Sequence, residues 1–164
     1  MVLAILALPD DCKTGGRLLI LPPLSDLQSG RGGHVDRQTY DSYLRLFNAR
    51  DYDGVLTWFA PQFEIRFGGY CLTTRDQVKD FYRFLHSYMR EEIFVDRFVG
   101  DEHTVAMEAR VHLTGLKPLA PETAKAAGFE RLMTPPAGET IVIPQFIHYH
   151  LEGGKFARAL CVIA

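Results

Sequence analysis

Two apolar-rich runs flank Glu152-Gly153-Gly154-Lys155, and no other stretch of the chain restricts its fold so strongly. Adjacent glycines supply the positive φ values that a tight reversal between antiparallel strands needs, so residues 139–164 predict a long β-hairpin. Side chains alternate across a strand. In the first arm Ile141, Ile143, Gln145, Ile147, Tyr149 and Leu151 therefore share one face, while Val142, Phe146, His148 and His150 share the other. The first set is the better core face, yet it carries two polar groups, Gln145 and Tyr149. Polar groups on a buried face need a partner or a ligand.

The rest of the chain supplies the elements that such a hairpin packs against. Asp36 caps a helix with Tyr40, Tyr43, Leu44 and Phe47 on one face, and Asp51 starts a shorter one carrying Tyr52, Val55, Leu56 and Phe59, stopped by Pro61. Phe63, Ile65 and Phe67 alternate with Glu64 and Arg66 in a short strand that turns at Gly68-Gly69 into Tyr70-Cys71-Leu72. Thr74 and Gln77 form a capping box ahead of a helix whose buried stripe is Val78, Phe81, Tyr82, Leu85 and Met89. Residues 93–99 and 104–113 read as strands; in the second, Val105, Met107, Ala109, Val111 and Leu113 face the core, which turns Glu108, Arg110 and His112 outward. A long connection over residues 114–138, with a short helix from Pro121 to Gly128, is the kind of excursion that covers a binding site.

Length and charge exclude several functions. The 164 residues make one ordinary domain, and a net charge of −2 with both signs scattered gives neither a basic stripe for nucleic acid nor a polybasic patch for a membrane. No run reaches the roughly 20 apolar residues of a membrane span. Cys12, Cys71 and Cys161 are odd in number and lack metal-ligand spacing, which fits unpaired thiols in a reducing cytoplasm. The opening apolar run has no basic residue before it and acidic Asp10-Asp11 after it, unlike a signal peptide. Residues 1–34, with Pro22-Pro23 and a Gly-rich linker, have three readings: a docked strand around 17–21, a flexible tail, or a segment outside the natural protein, with translation starting at Val35 on a GTG codon. Mass spectrometry of the native N-terminus separates the third from the others.

Four groups of residues together carry a family resemblance: Tyr43-Leu44-Arg45-Leu46-Phe47-Asn48-Ala49-Arg50-Asp51-Tyr52-Asp53, Trp58-Phe59-Ala60-Pro61, the Thr74 helix with Phe81-Tyr82, and Gly153-Gly154-Lys155-Phe156. Over residues 35–164 the chain resembles the nuclear transport factor 2-like superfamily, and within it the SnoaL-like, ketosteroid isomerase-like branch. The resemblance implies an α+β cone, a curved mixed β-sheet wrapped around three helices with a deep apolar pocket at the open end, in members that are often homodimers. Ketosteroid isomerases, polyketide cyclases, scytalone dehydratase and the small subunits of ring-hydroxylating dioxygenases share that fold, so function has to be argued from the site.

Against ketosteroid isomerase, Tyr43 matches the oxyanion-hole tyrosine, whereas the general-base aspartate falls at Phe67 and its partner acid near Ile147. Phenylalanine cannot take a proton. The cyclases' late acid falls at Cys161, and scytalone dehydratase's tyrosines and acid fall at Phe47, Phe67 and Asn48. The resemblance thus implies a pocket for a small, largely apolar oxygenated compound, aromatic, polyketide-like or steroid-like, with isomerase, cyclase or dehydratase chemistry. Tyr43 is the catalytic candidate, and Trp58, Phe67, Tyr82, His86, Gln145 and Tyr149 are the ligand-binding candidates; no cofactor or metal is called for. The competing readings are a non-catalytic binding or dimerisation module and an accessory oxygenase subunit.

Each candidate also has a plainer role. Tyr43, Gln145 and Tyr149 could satisfy one another or the backbone, and Trp58 and Tyr82 could be core aromatics. His86 sits at the flank of its helix stripe, a solvated position unless it turns inward to act as a base. His148 and His150 share a face that could hold a metal with His112, but it is the convex face such proteins use to dimerise. Cys161 is a core thiol unless a nearby cation stabilises its thiolate.

Overall fold

The computed structural model describes residues 35–164, so the readings made for residues 1–34 lie outside the described residues. Helix α1, Arg37–Asn48, starts where the Asp36 carboxylate accepts the Thr39 N–H at 2.7 Å, and it buries the four aromatic and leucine side chains of the expected stripe. Arg50, at φ 60°, breaks the chain direction before α2, Tyr52–Leu56, which the Asp51 carboxylate caps in its turn. In β1, Phe59–Phe67, Pro61 lies within the strand instead of stopping the helix. It occupies the irregular stretch between Phe59 and Glu64 where pairing with the neighbouring strand slips, a place where a missing N–H costs no ladder bond.

Strand β2, Tyr70–Leu72, returns through a glycine turn, and α3, Arg75–Tyr88, opens on the full Thr74–Gln77 capping box. No loop follows α3. Met89, expected as the last residue of its buried stripe, is instead extended at φ −143° and begins β3, Met89–Gly100, four residues earlier than the alternation from Ile93 suggests. Strand β4, Thr104–Gly115, α4, Pro121–Ala126, and the hairpin of β5, Thr140–Glu152, with β6, Lys155–Ile163, complete the chain. Gly153 and Gly154 turn that hairpin at φ 56° and 74°. The described residues thus hold four helices, the fourth being the short one expected within the 114–138 connection.

The six strands form one open mixed sheet in the order β2-β1-β6-β5-β4-β3, antiparallel throughout except where β1 runs parallel to β6. Helices and sheet share one apolar core. At one end it is solid: Tyr40, Phe59, Phe156, Val105 and Leu56 are fully buried or nearly so. Toward the other end the concave face of β5 grows more accessible, from buried Leu151, Tyr149 and Ile147 to half-buried Gln145 and Ile143 and exposed Ile141. The alternation expected for β5 therefore holds along its length, but its first half lines a hollow in place of a packed core.

No described helix is long and apolar enough to cross a membrane. Cys161 is a free thiol, whereas Cys71 is disulfide-bonded, against the expectation that all three cysteines are unpaired.

Candidate functional site

The hollow between the helices and the sheet has a volume of about 420 Å³. Its walls are hydrocarbon from every layer: Phe47 of α1, Phe67 of β1, Phe81 and Leu85 of α3, Ile93 of β3, Val111 of β4 and Ile143 and Ile147 of β5. Leu132 and Met133 of the 114–138 connection border it too, so that excursion does reach the cavity. A handful of polar tips interrupt the apolar surface, namely Tyr43, Tyr82, Tyr149, Gln145, Cys161 and Glu91, with Arg131 alongside Met133.

Tyr43 and Tyr149 belong to a row of three phenols. Tyr40, on α1, lies beneath them with no exposed surface, and its hydroxyl is 3.2 Å from that of Tyr149, whose ring meets the Tyr43 ring edge-on at 6.3 Å. Each phenol has one proton to give and lone pairs to accept with. The Tyr40–Tyr149 bond leaves the Tyr43 hydroxyl, which faces the cavity, its own proton to give. Burial raises all three phenols well above their ordinary value, so they stay neutral donors. The Gln145 amide has no hydrogen-bond partner among the described residues and also faces the cavity.

The remaining candidates separate into two groups. Tyr82 and Phe67 stack with ring centroids 6.4 Å apart and both line the cavity. Trp58 does not: it stacks on Phe156 at 6.2 Å and meets the Tyr43 ring edge-on at 5.9 Å, outside the lining. Its place is to brace Tyr43 from behind. Cys161 lines the cavity, but burial, followed by the nearby Glu91 carboxylate, pushes its thiol up to about 12, leaving it a neutral thiol and not a nucleophile at physiological pH.

His86 overturns the expectation of a solvated flank, being 4 % exposed. Its Nδ1 lies 2.9 Å from the Tyr52 hydroxyl and its Nε2 3.4 Å from Glu91 Oε2. Sequence reasoning missed Glu91, because the strand was begun at Ile93. Extending that alternation back by two residues puts Glu91 on the inner face with Ile93, and the direct passage of α3 into β3 sets it against the last turn of the helix. His148 and His150 have ring centroids 4.7 Å apart on the opposite side of the sheet from the cavity, and no cluster of potential metal ligands occurs among the described residues.

An open mixed sheet curved over helices, with an apolar cavity set with a few phenols, an amide and an acid, defines an α+β cone with a small-molecule-sized hollow. The SnoaL-like domain model matches residues 40–159, and the chain belongs to that family. No curated protein matches it by sequence. Among solved structures it is similar to a nuclear transport factor 2-like protein of unknown function from Burkholderia pseudomallei, at 16% identity and TM-score 0.59 over 77% of this chain and 88% of that one. It is similar also to a SnoaL-like polyketide cyclase from Agrobacterium tumefaciens, at 16% identity and TM-score 0.57 over 76% and 87%. An LEH-like epoxide hydrolase from Mycobacterium tuberculosis gives 12% identity and TM-score 0.56 over 77% and 80%. At such identities the likeness is one of fold.

Proposed function

We propose that this SnoaL-like protein binds a small, largely apolar oxygenated compound, of the aromatic, polyketide-like or steroid-like kind, and that the 114–138 connection acts as its lid. The observation that carries this reading is the cavity of about 420 Å³, within the size range of small-molecule sites, walled by hydrocarbon and set with Tyr43 and Gln145. Tyr43 donates to the ligand oxygen and Gln145 supplies a second polar contact, while Tyr82 and Phe67 hold the rings. Relatives of this fold described as a polyketide cyclase and an epoxide hydrolase fit a pocket for compounds of this class.

Prodan, a neutral naphthalene ketone whose emission shifts to the blue in apolar surroundings, tests the pocket directly. One molecule is expected to bind per chain with that shift. Ile143→Trp, which fills the cavity from β5, is expected to weaken binding by about 10-fold or more while leaving the circular dichroism spectrum unchanged. Equal binding by the variant, or none by the wild type, removes the pocket reading.

The outer sheet face supports pairing of two copies. Phe94, Phe146 and Val162 are 43%, 53% and 58% exposed there, beside the ion pairs Arg110–Asp96 and Arg97–Glu108. An apolar patch rimmed by charges of both signs suits a self-complementary contact. Sedimentation equilibrium is expected to give a dimer that Phe146→Glu converts to a monomer; a monomeric wild type removes this part of the reading.

A further inference from the structure

We propose that Arg131 is a specificity-determining residue that holds a carboxylate at the cavity mouth, so that the compounds this pocket takes are aromatic or polycyclic carboxylic acids, hydrocarbon body inside and carboxylate at the rim. The inference rests on the pocket reading above and adds the head group of the ligand to it.

Three observations carry it. The first is charge. Two charged side chains border the cavity among the described residues, Glu91 and Arg131. Glu91 already has a partner in His86, 3.4 Å away, whereas Arg131 makes no ion pair with any described residue and its one side-chain hydrogen bond goes to a backbone carbonyl. A cation at the edge of a hydrocarbon pocket favours an anionic head group over a neutral one.

The second is placement. Arg131 Nη1 donates to the Gly69 carbonyl at 3.2 Å, and the backbone N–H of Arg131 donates to the Tyr70 hydroxyl at 3.1 Å, so main chain and guanidinium are both tied to the turn between β1 and β2. Gly69, at φ 81°, lies so close beneath the guanidinium that a Cβ there would collide with Nη1. That seat leaves the Nε and Nη2 edge without a partner among the described residues. The edge is a planar fork whose two N–H groups match the two oxygens of a carboxylate. A guanidinium already anchored through Nη1 also loses less freedom on binding than a free surface arginine does.

The third is the rim itself. Met133, Ile141 and Ile163 border the cavity and are 59%, 40% and 44% exposed. Apolar side chains around a single cation suit a molecule with one charged end and a hydrocarbon body. The exposed rim also lets the bound carboxylate keep part of its water, which avoids the cost of carrying an anion into the apolar interior beside Glu91. The body of the acid then reaches inward, where Tyr43 and Gln145 meet any second oxygen it carries.

The test compares 2-naphthoate, an anion at neutral pH, with its methyl ester, which has the same two rings and no charge, by isothermal titration calorimetry on the full-length protein. The wild type is expected to bind the acid about 10-fold more tightly than the ester, with the preference shrinking as ionic strength rises. Arg131→Gln is expected to weaken binding of the acid by about 10-fold or more and to leave binding of the ester and of prodan unchanged. Arg45→Gln removes the same charge from the exposed side of α1, where Arg45 bonds Ser42, and is expected to leave the acid's affinity unaltered, which separates a contact at the mouth from the overall charge of the protein. Thermal melts of both variants show that they are folded. The proposal is overturned if the wild type binds the acid no more tightly than the ester, if Arg131→Gln weakens acid and ester alike, or if Arg45→Gln costs the acid as much as Arg131→Gln does. In each of these cases prodan binding itself, and with it the pocket reading, still stands.

Discussion

Phe156→Ala is expected to destabilise the domain by about 3–5 kcal/mol, the range for removing a fully packed aromatic side chain. Phe156 is 1 % exposed and lies under the cavity floor, stacked on Tyr149 at 4.2 Å and edge-on to Tyr43 at 5.1 Å, with Phe59 and Trp58 against its other sides. Few of these neighbours can collapse into the gap, because Tyr40 and Tyr149 are tied to each other through their hydroxyls. Urea unfolding followed by the fluorescence of Trp58, the single tryptophan, should show the loss directly, with a fall in Tm of roughly 10 °C or more. Prodan affinity should fall in the same variant, since Tyr43 and Tyr149 lean on the missing ring. A loss below about 1 kcal/mol would mean that the phenol row is held by something other than this packing.

The second large effect is an alkaline limit to stability. Burial raises the phenols of Tyr40, Tyr43 and Tyr149 above the ordinary 10.0, whereas the unfolded chain ionises them at that value. The folded pKa is the higher one. Their contribution is therefore complete below pH 10.0 and is lost as pH rises from there through the folded pKa, at roughly 1.4 kcal/mol per pH unit for each group. Tyrosinate absorbance should consequently appear together with loss of far-ultraviolet circular dichroism and not before it. Tyr40→Phe removes one share and should make the decline with pH shallower. Ionisation of these phenols in a chain that remains folded would contradict the burial described for them.

Much of this architecture was legible in the sequence because local chemistry and tertiary packing agree. Asp36, Asp51 and the Thr74–Gln77 pair cap helices where their side chains predict, and Gly153-Gly154 turns the hairpin. The resemblance to SnoaL-like proteins anticipated both the sheet and the hollow. Pro61 and Met89 misled for one reason: each lies where an element boundary is set by pairing across the sheet and not by the neighbouring residues. The misplaced start of β3 then hid Glu91, which led to the expectation of a pocket lacking a carboxylate. His86 was hidden differently. Its position on the helix flank suggests solvent, and only the packing of α2 against it, through Tyr52, and of β3, through Glu91, closes it off. Trp58 was drawn toward the site by its size, although its ring belongs to the layer behind Tyr43.

The parallel contact of β1 with β6 has a bearing on synthesis. It joins parts of the chain as far apart as Glu64 and Arg158, 94 positions along the sequence, and seats β1 between β2 and β6. A ribosome making this protein completes both long helices and five strands, β1 to β5, before the edge of β1 can be covered by β6. Until β6 emerges, Phe59, Phe63 and Ile65 sit on a strand with one open side, so the nascent chain is most exposed to misassociation in the moments before its last hairpin closes.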